Sequence, residues 1–112
     1  MRKLALVALL SLGTALAAHA GNPDAGKEKS RVCAACHGPD GNSAAADFPK
    51  LAGQHHDYLV KALKDYKSGA RKNAIMAPLV ANLTPRDLED LAAYYSNQQG
   101  LISRKGSYFA RD

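Results

Sequence analysis

The stretch Ser30 to Gly41, SRVCAACHGPDG, holds the only two cysteines of this 112-residue chain, and a histidine follows the second directly. Cys33 and Cys36 are three positions apart. On a helix that spacing puts both thiols on one face, a few ångströms apart. His37 comes four residues after Cys33 and rises from the same face. Any fold this chain adopts must make use of that triplet, or bury it. Four chemistries use such a pair: a disulfide, a redox dithiol, half of a zinc site, and C-x-x-C-H attachment of a haem. A Cys33–Cys36 disulfide would close a very small loop and constrain little of the unfolded chain. A thioredoxin-like dithiol belongs in a βαβ setting, which the sequence does not show. A structural zinc site takes four ligands, and two cysteines with scattered histidines supply them poorly. Haem attachment uses every member of the triplet. Each thiol adds to one vinyl group, and His37 reaches the iron from the same face.

The N-terminus bears on the redox setting. Arg2 and Lys3 precede an apolar run, Leu4 to Leu12, and the segment ends in the small-residue pattern Ala18-His19-Ala20. This is the form of a secretory signal peptide, residues 1–20. The apolar run falls short of the roughly 20 residues that span a bilayer. Cleavage after Ala20 leaves residues 21–112 as one expected domain of modest core, for which a covalent cofactor is a useful staple. It also lowers the formal charge from +5 to +3, too weak a basic balance to imply a nucleic-acid partner. Export to the periplasm is the expected localisation, where idle thiols do not persist.

The rest of the chain reads as helices and loops, with no strand pattern, repeat or low-complexity linker. Asn22-Pro23 suits an N-cap and a first helical residue, opening one helix over Asp24 to Cys36 that Gly38-Pro39-Asp40-Gly41 terminates. A second helix is expected from His56 to Ser68. Tyr58, Leu59, Ala62, Leu63 and Tyr66 form its apolar stripe, with Gly69 just beyond its end. Residues 70–83 read as loop, with one short helical turn after Pro78. Thr84-Pro85-Arg86-Asp87 resembles a capping box and starts a last helix that Gly100 ends. Leu88, Leu91, Ala92 and Tyr95 form its apolar face. Asp87, Glu89 and Asp90 read as charges favoured at a helix N-terminus. The fold class is all-α.

If a haem is held, an electron carrier wants a second axial ligand. Met76, the lone methionine after the signal, stands in a loop with a proline two residues on. That placement suits a ligand better than a gap-filling core residue. His55 and His56 are the other candidates, and would make a bis-histidine site.

The segments C-A-A-C-H-G-x-D-G-N-S, F-P-K-L-A-G-Q-H, G-x-R-x-N-x-x-M and L-A-A-Y-Y-S resemble those of class I c-type cytochromes, and in particular the bacterial cytochrome c4/c553 type. The likeness runs from about Asp24 to Gln98. It implies a small cytochrome c fold of three to five helices with loops wrapped around one covalent haem c. It implies thioether bonds at Cys33 and Cys36 and axial ligation by His37 and Met76. It implies further that the Pro49 carbonyl accepts a hydrogen bond from His37 Nδ1, and that Gly26 allows close approach where the C-terminal helix crosses, near Tyr94 and Tyr95. Proteins of the c4 type carry two such domains, whereas one motif is present here. Residues 101–112 match nothing in that pattern and are expected either to form a flexible tail or to dock on a partner.

The function so implied is that of a monohaem periplasmic carrier, a monomer that shuttles single electrons between redox-protein partners and is not an enzyme. It would reach membranes only through partner complexes. Two other readings use the same residues: a haem enzyme or gas sensor with a labile sixth ligand, and a fixed haem subunit of a larger complex. Lys61, Lys64, Lys67, Arg71 and Lys72 are either a docking surface or an ordinary solvated face, with Asp57–Lys61 and Lys61–Asp65 as i,i+4 pairs. The alternative expectation for Arg71 is that it approaches a haem propionate.

Overall fold

The computed structural model describes residues 20–101. The expected signal segment, up to its last residue, and the expected tail, after Leu101, lie outside them. Five helices and no strand occur among the described residues: α1 (Pro23–Lys29), α2 (Arg31–His37), α3 (His56–Ser68), α4 (Met76–Val80) and α5 (Pro85–Ser96). None of them is long and apolar enough to cross a membrane.

Local chemistry accounts for most of the boundaries. Asn22 Oδ1 accepts from the N–H groups of Asp24 and Ala25, and Pro23 takes the first helical position. Thr84 and Asp87 close a complete capping box at the start of α5, so the short Asp serves where Glu is usual. Gly69 ends α3 in the left-handed conformation, at φ +82.

Three boundaries differ from the sequence reading. The single helix over Asp24 to Cys36 is two helices, broken at Ser30. The Ser30 hydroxyl donates back to the Lys27 carbonyl at 2.8 Å, and its ψ of −7 departs from the helical value. Back-bonding of this kind bends helices. The turn expected after Pro78 begins two residues earlier, at Met76. Finally, α5 stops at Ser96 rather than near Gly100, because its last carbonyls are claimed from outside the helix. Gln98 Nε2 donates to Tyr94 O at 3.0 Å, and Gly53 N to Tyr95 O at 2.9 Å.

The scaffold is built on α5. Its residues Leu91, Ala92, Tyr94 and Tyr95 join Leu59 and Val60 of α3 in the core. Burying each large apolar side chain is worth about 1.5–3 kcal/mol. Helix α1 crosses α5 at Gly26. A Cβ built there would lie 2.0 Å from Asp90 O and 2.8 Å from Tyr94 Cβ, so only glycine lets the backbones meet. The crossing centres on the expected Tyr94 and on Asp90, one turn before it, rather than on Tyr95.

Asp90 is the main correction on α5. It is not a solvated N-terminal charge but a carboxylate with 2 % exposure. It accepts from Asn22 N at 2.7 Å and from Lys29 Nζ at 2.5 Å. Lys29 Nζ also reaches Asp87 at 2.7 Å. One lysine therefore ties α1 to both acids and supplies the partner that a buried carboxylate requires. The long loop after α2 is strapped to the same helix. Tyr94 Oη donates to Pro39 O at 2.8 Å, Gly53 N donates to Tyr95 O at 2.9 Å, and within the loop Leu51 N donates to Gly41 O at 2.8 Å.

Candidate haem site

A cleft of about 270 Å³ opens beside α5. Helix α2 brings Cys33, Cys36 and His37 to its wall, the loop before α3 brings Pro49, and α4 brings Met76. Residues from three separate parts of the chain thus meet at one cavity. The remaining wall is mainly apolar. Leu91, Ala92 and Tyr95 come from α5, and Leu59, Ala62 and Leu63 from α3.

Cys33 and Cys36 are both free thiols. Burial pushes the Cys33 thiol up, the opposite of what a reactive redox dithiol needs. Among the described residues, no group of three or more His, Cys, Asp or Glu side chains is placed to hold a metal ion. The zinc reading therefore lacks its ligand set there.

His37 is buried, and its Nδ1 lies 2.8 Å from the Pro49 carbonyl oxygen. A carbonyl can only accept, so Nδ1 carries the proton of this bond, which in the neutral ring leaves the lone pair on Nε2. Such a bond fixes ring orientation and raises the basicity of the other nitrogen.

Met76 opens α4 and is half-buried, with Pro78 two residues further along the same short helix. Neither His55 nor His56 is part of the cleft wall. His55 is exposed and precedes α3. His56 turns towards α5, with Nε2 3.4 Å from Glu89 Oε2 and Nδ1 3.3 Å from Asp57 Oδ1.

The basic cluster divides on inspection. Lys61 pairs with Asp65, Lys67 Nζ donates to the Leu83 carbonyl, and the Arg71 guanidinium stacks 4.8 Å over the Tyr66 ring. The expected Asp57–Lys61 pair is absent because Asp57 stands beside His56 and Lys61 is taken by Asp65. Arg71 and Tyr66 both line the cleft, while Lys61, Lys64, Lys67 and Lys72 do not.

The residues present suit a flat, mostly apolar macrocycle with two attachment points. Val32, Tyr58, Ile75 and Leu79 are large apolar residues with 42–61 % exposure, and all four stand in the cleft wall. Apolar surface left open on a small protein and gathered at one cavity is the mark of a binding site. The sequence points to the four donors but gives no mark to three other wall residues, Val32, Ile75 and Leu79, because an isolated apolar residue in a short segment carries no periodic signal. It also gave Asn73 no role, although Asn three residues before Met76 fits an N-cap pattern.

The family model described as Cytochrome c matches residues 23–99. The chain is 51 % identical to cytochrome c4 of Pseudomonas aeruginosa over 100 residues, covering 88 % of this chain and 50 % of that protein. It is 43 % identical to cytochrome c-554(548) of Halomonas halodenitrificans over 83 residues, covering 71 % of this chain and all of that one. The crystal structure of reduced cytochrome c4 from Pseudomonas stutzeri superposes with a TM-score of 0.70 at 47 % identity, over 73 % of this chain and 48 % of that chain. The chain spans about half the length of the cytochrome c4 relatives it matches.

Proposed function

The chain belongs to the cytochrome c family, and on that premise we propose that it is a monohaem periplasmic carrier of single electrons, with haem c bonded to Cys33 and Cys36 and iron held between His37 and Met76. The observation that carries this reading is the meeting of those four side chains, from α2 and α4, at one apolar cleft. Bound there, the haem would supply an iron that gains and loses one electron, at a potential that a methionine ligand would raise.

The protein's own groups do the rest. Pro49 holds the His37 ring, so that Nε2 presents its lone pair. Leu91, Ala92 and Tyr95 give the cleft a rigid, water-excluding back wall on the most buried helix. The i,i+3 spacing of the cysteines offers two thioether anchors from one turn of α2. Were His37 and Met76 both to hold the iron, no position on it would be left for a substrate, which favours a carrier over an enzyme. Its partners are then redox proteins met in transient complexes. Periplasmic placement is supported by the signal-like composition of residues 1–20.

The test is a mature protein mass together with the visible spectrum of the ascorbate-reduced protein. One covalent haem and a low-spin c-type spectrum are expected. A mass without haem sinks the proposal. Immediate carbon monoxide binding by the reduced protein would favour the gas-sensor reading instead.

A further inference from the structure

Met76 is the weakest-anchored member of the proposed donor set. Helix α4 has only five residues, and Ile75 in front of it makes no side-chain cap. Pro78, inside the same helix, has no N–H to return to the carbonyl of Ala74. The turn that carries Met76 therefore lacks a hydrogen bond that an ordinary helix would have.

Asn73 holds the turn instead through the N–H groups at its start. Its Oδ1 accepts from Ile75 N at 2.9 Å and from Met76 N at 3.0 Å. Its own carbonyl accepts from Ala77 N at 3.0 Å. Three consecutive N–H groups converge on one residue, which is the geometry of an N-cap with its second and third helical positions bonded to the side chain. The residue also stands in the wall of the cleft.

We propose that Asn73 is a positioning residue for Met76: by capping the turn it holds the Met76 backbone, and so the sulfur, at the iron. The proposal rests on Met76 ligation as argued above. It makes the lifetime of the iron–sulfur bond a property of a residue that touches neither atom. When the cap is lost, Ile75 and Met76 N–H turn to water, and the turn opens more often. Exogenous ligands then compete for the iron during each opening.

The experiment uses the ferric holoprotein. Imidazole binding is followed through loss of the methionine-to-iron charge-transfer band, in the parent, Asn73→Ala and Asn73→Asp. Loss of one N-cap shifts an opening equilibrium by about fivefold, so Asn73→Ala should bind imidazole about five times more readily. Asn73→Asp keeps an oxygen acceptor and should stay within about twofold of the parent. A parent-like Asn73→Ala overturns the proposal, as does an Asn73→Asp that behaves like Ala. If the parent shows no charge-transfer band, Met76 ligation fails and takes this proposal with it. A parent band with an unaffected alanine variant leaves ligation standing and removes only the role of Asn73.

Discussion

Gly26→Ala puts the packing account under the most strain. The added Cβ would sit 2.0 Å from Asp90 O, where ordinary contact starts near 3.4 Å. No rotamer relieves this, because the atoms it meets are the Asp90 backbone and the Tyr94 Cβ, which is fixed by the backbone. Helix α5 must retreat by roughly 1.4 Å, the shortfall between those two distances. That retreat strikes the one buried carboxylate of the crossing. Asn22 N and Lys29 Nζ both ride with α1, and both bond Asp90 at 2.7 and 2.5 Å. Overpacking alone costs about 1–3 kcal/mol. Uncoupling a buried charge from its partner costs about 3–5 kcal/mol when complete. Alanine returns about 1 kcal/mol of helix propensity. With the retreat shared between the helices, a net loss of about 3 kcal/mol is expected.

For a domain of this size that is a fall in Tm of roughly 12–24 °C, read by far-UV circular dichroism of the holoprotein at pH 7. Gly69→Ala is the control. Its Cβ meets nothing within 4 Å, but its φ is +82, so only backbone strain of about 1–2 kcal/mol applies. Equal losses in the two variants, or a Gly26→Ala loss under about 1 kcal/mol, would refute the crossing as described.

Met76→Ala should abolish the methionine charge-transfer band, lower the reduction potential and let the ferrous protein bind carbon monoxide without delay; a normal potential would place the sixth ligand elsewhere. The hydrogen bond from Lys29 holds Asp87 down at about 2 and lowers Asp90, while both acids raise Lys29. Depressed carboxylates stabilise the fold above their unfolded values and lose that contribution as pH falls, so stability should drop between about pH 4 and 2. The raised lysine contributes below its ordinary value and loses its share only at high pH, above roughly 10.5. Lys29→Met should lower stability at pH 7 and flatten the acid limb, and an unchanged acid limb in urea titrations would assign it to other groups. Leu91→Ala removes a core side chain of 2 % exposure that also backs the cleft and should cost about 2–5 kcal/mol in chemical denaturation, unless the haem edge refills the space.

Most of what is decided within about four residues could be read from the chain. Asn22-Pro23 and Thr84 to Asp87 announce helix starts because a cap is a bond between near neighbours. Cys33, Cys36 and His37 announce their shared face because helix geometry places i, i+3 and i+4 together. The bounds of α3 followed from periodicity and Gly69. The same local logic misjudged Ser30, where a hydroxyl can either face solvent or bond backward to Lys27, and only packing of α1 on α5 selects the second.

What needed the folded molecule was every fact about partners distant in sequence. Asp90 looks like a dipole-favoured surface acid until α1 crosses above it and Lys29, 61 residues earlier, closes on its carboxylate. Val60 stood outside the apparent stripe of α3, yet it is buried against α5, while Tyr58 within that stripe is half exposed at the cleft. The chain carried the donors Cys33, Cys36, His37 and Met76 in its order of residues. Their gathering at one cavity depends on three close contacts: a glycine at the α1–α5 crossing, loop bonds to the end of α5, and the cap that Asn73 places on the turn of Met76. Short-range bonds are written in spacing, whereas burial is set by which surfaces meet, and that is a property of the packed chain.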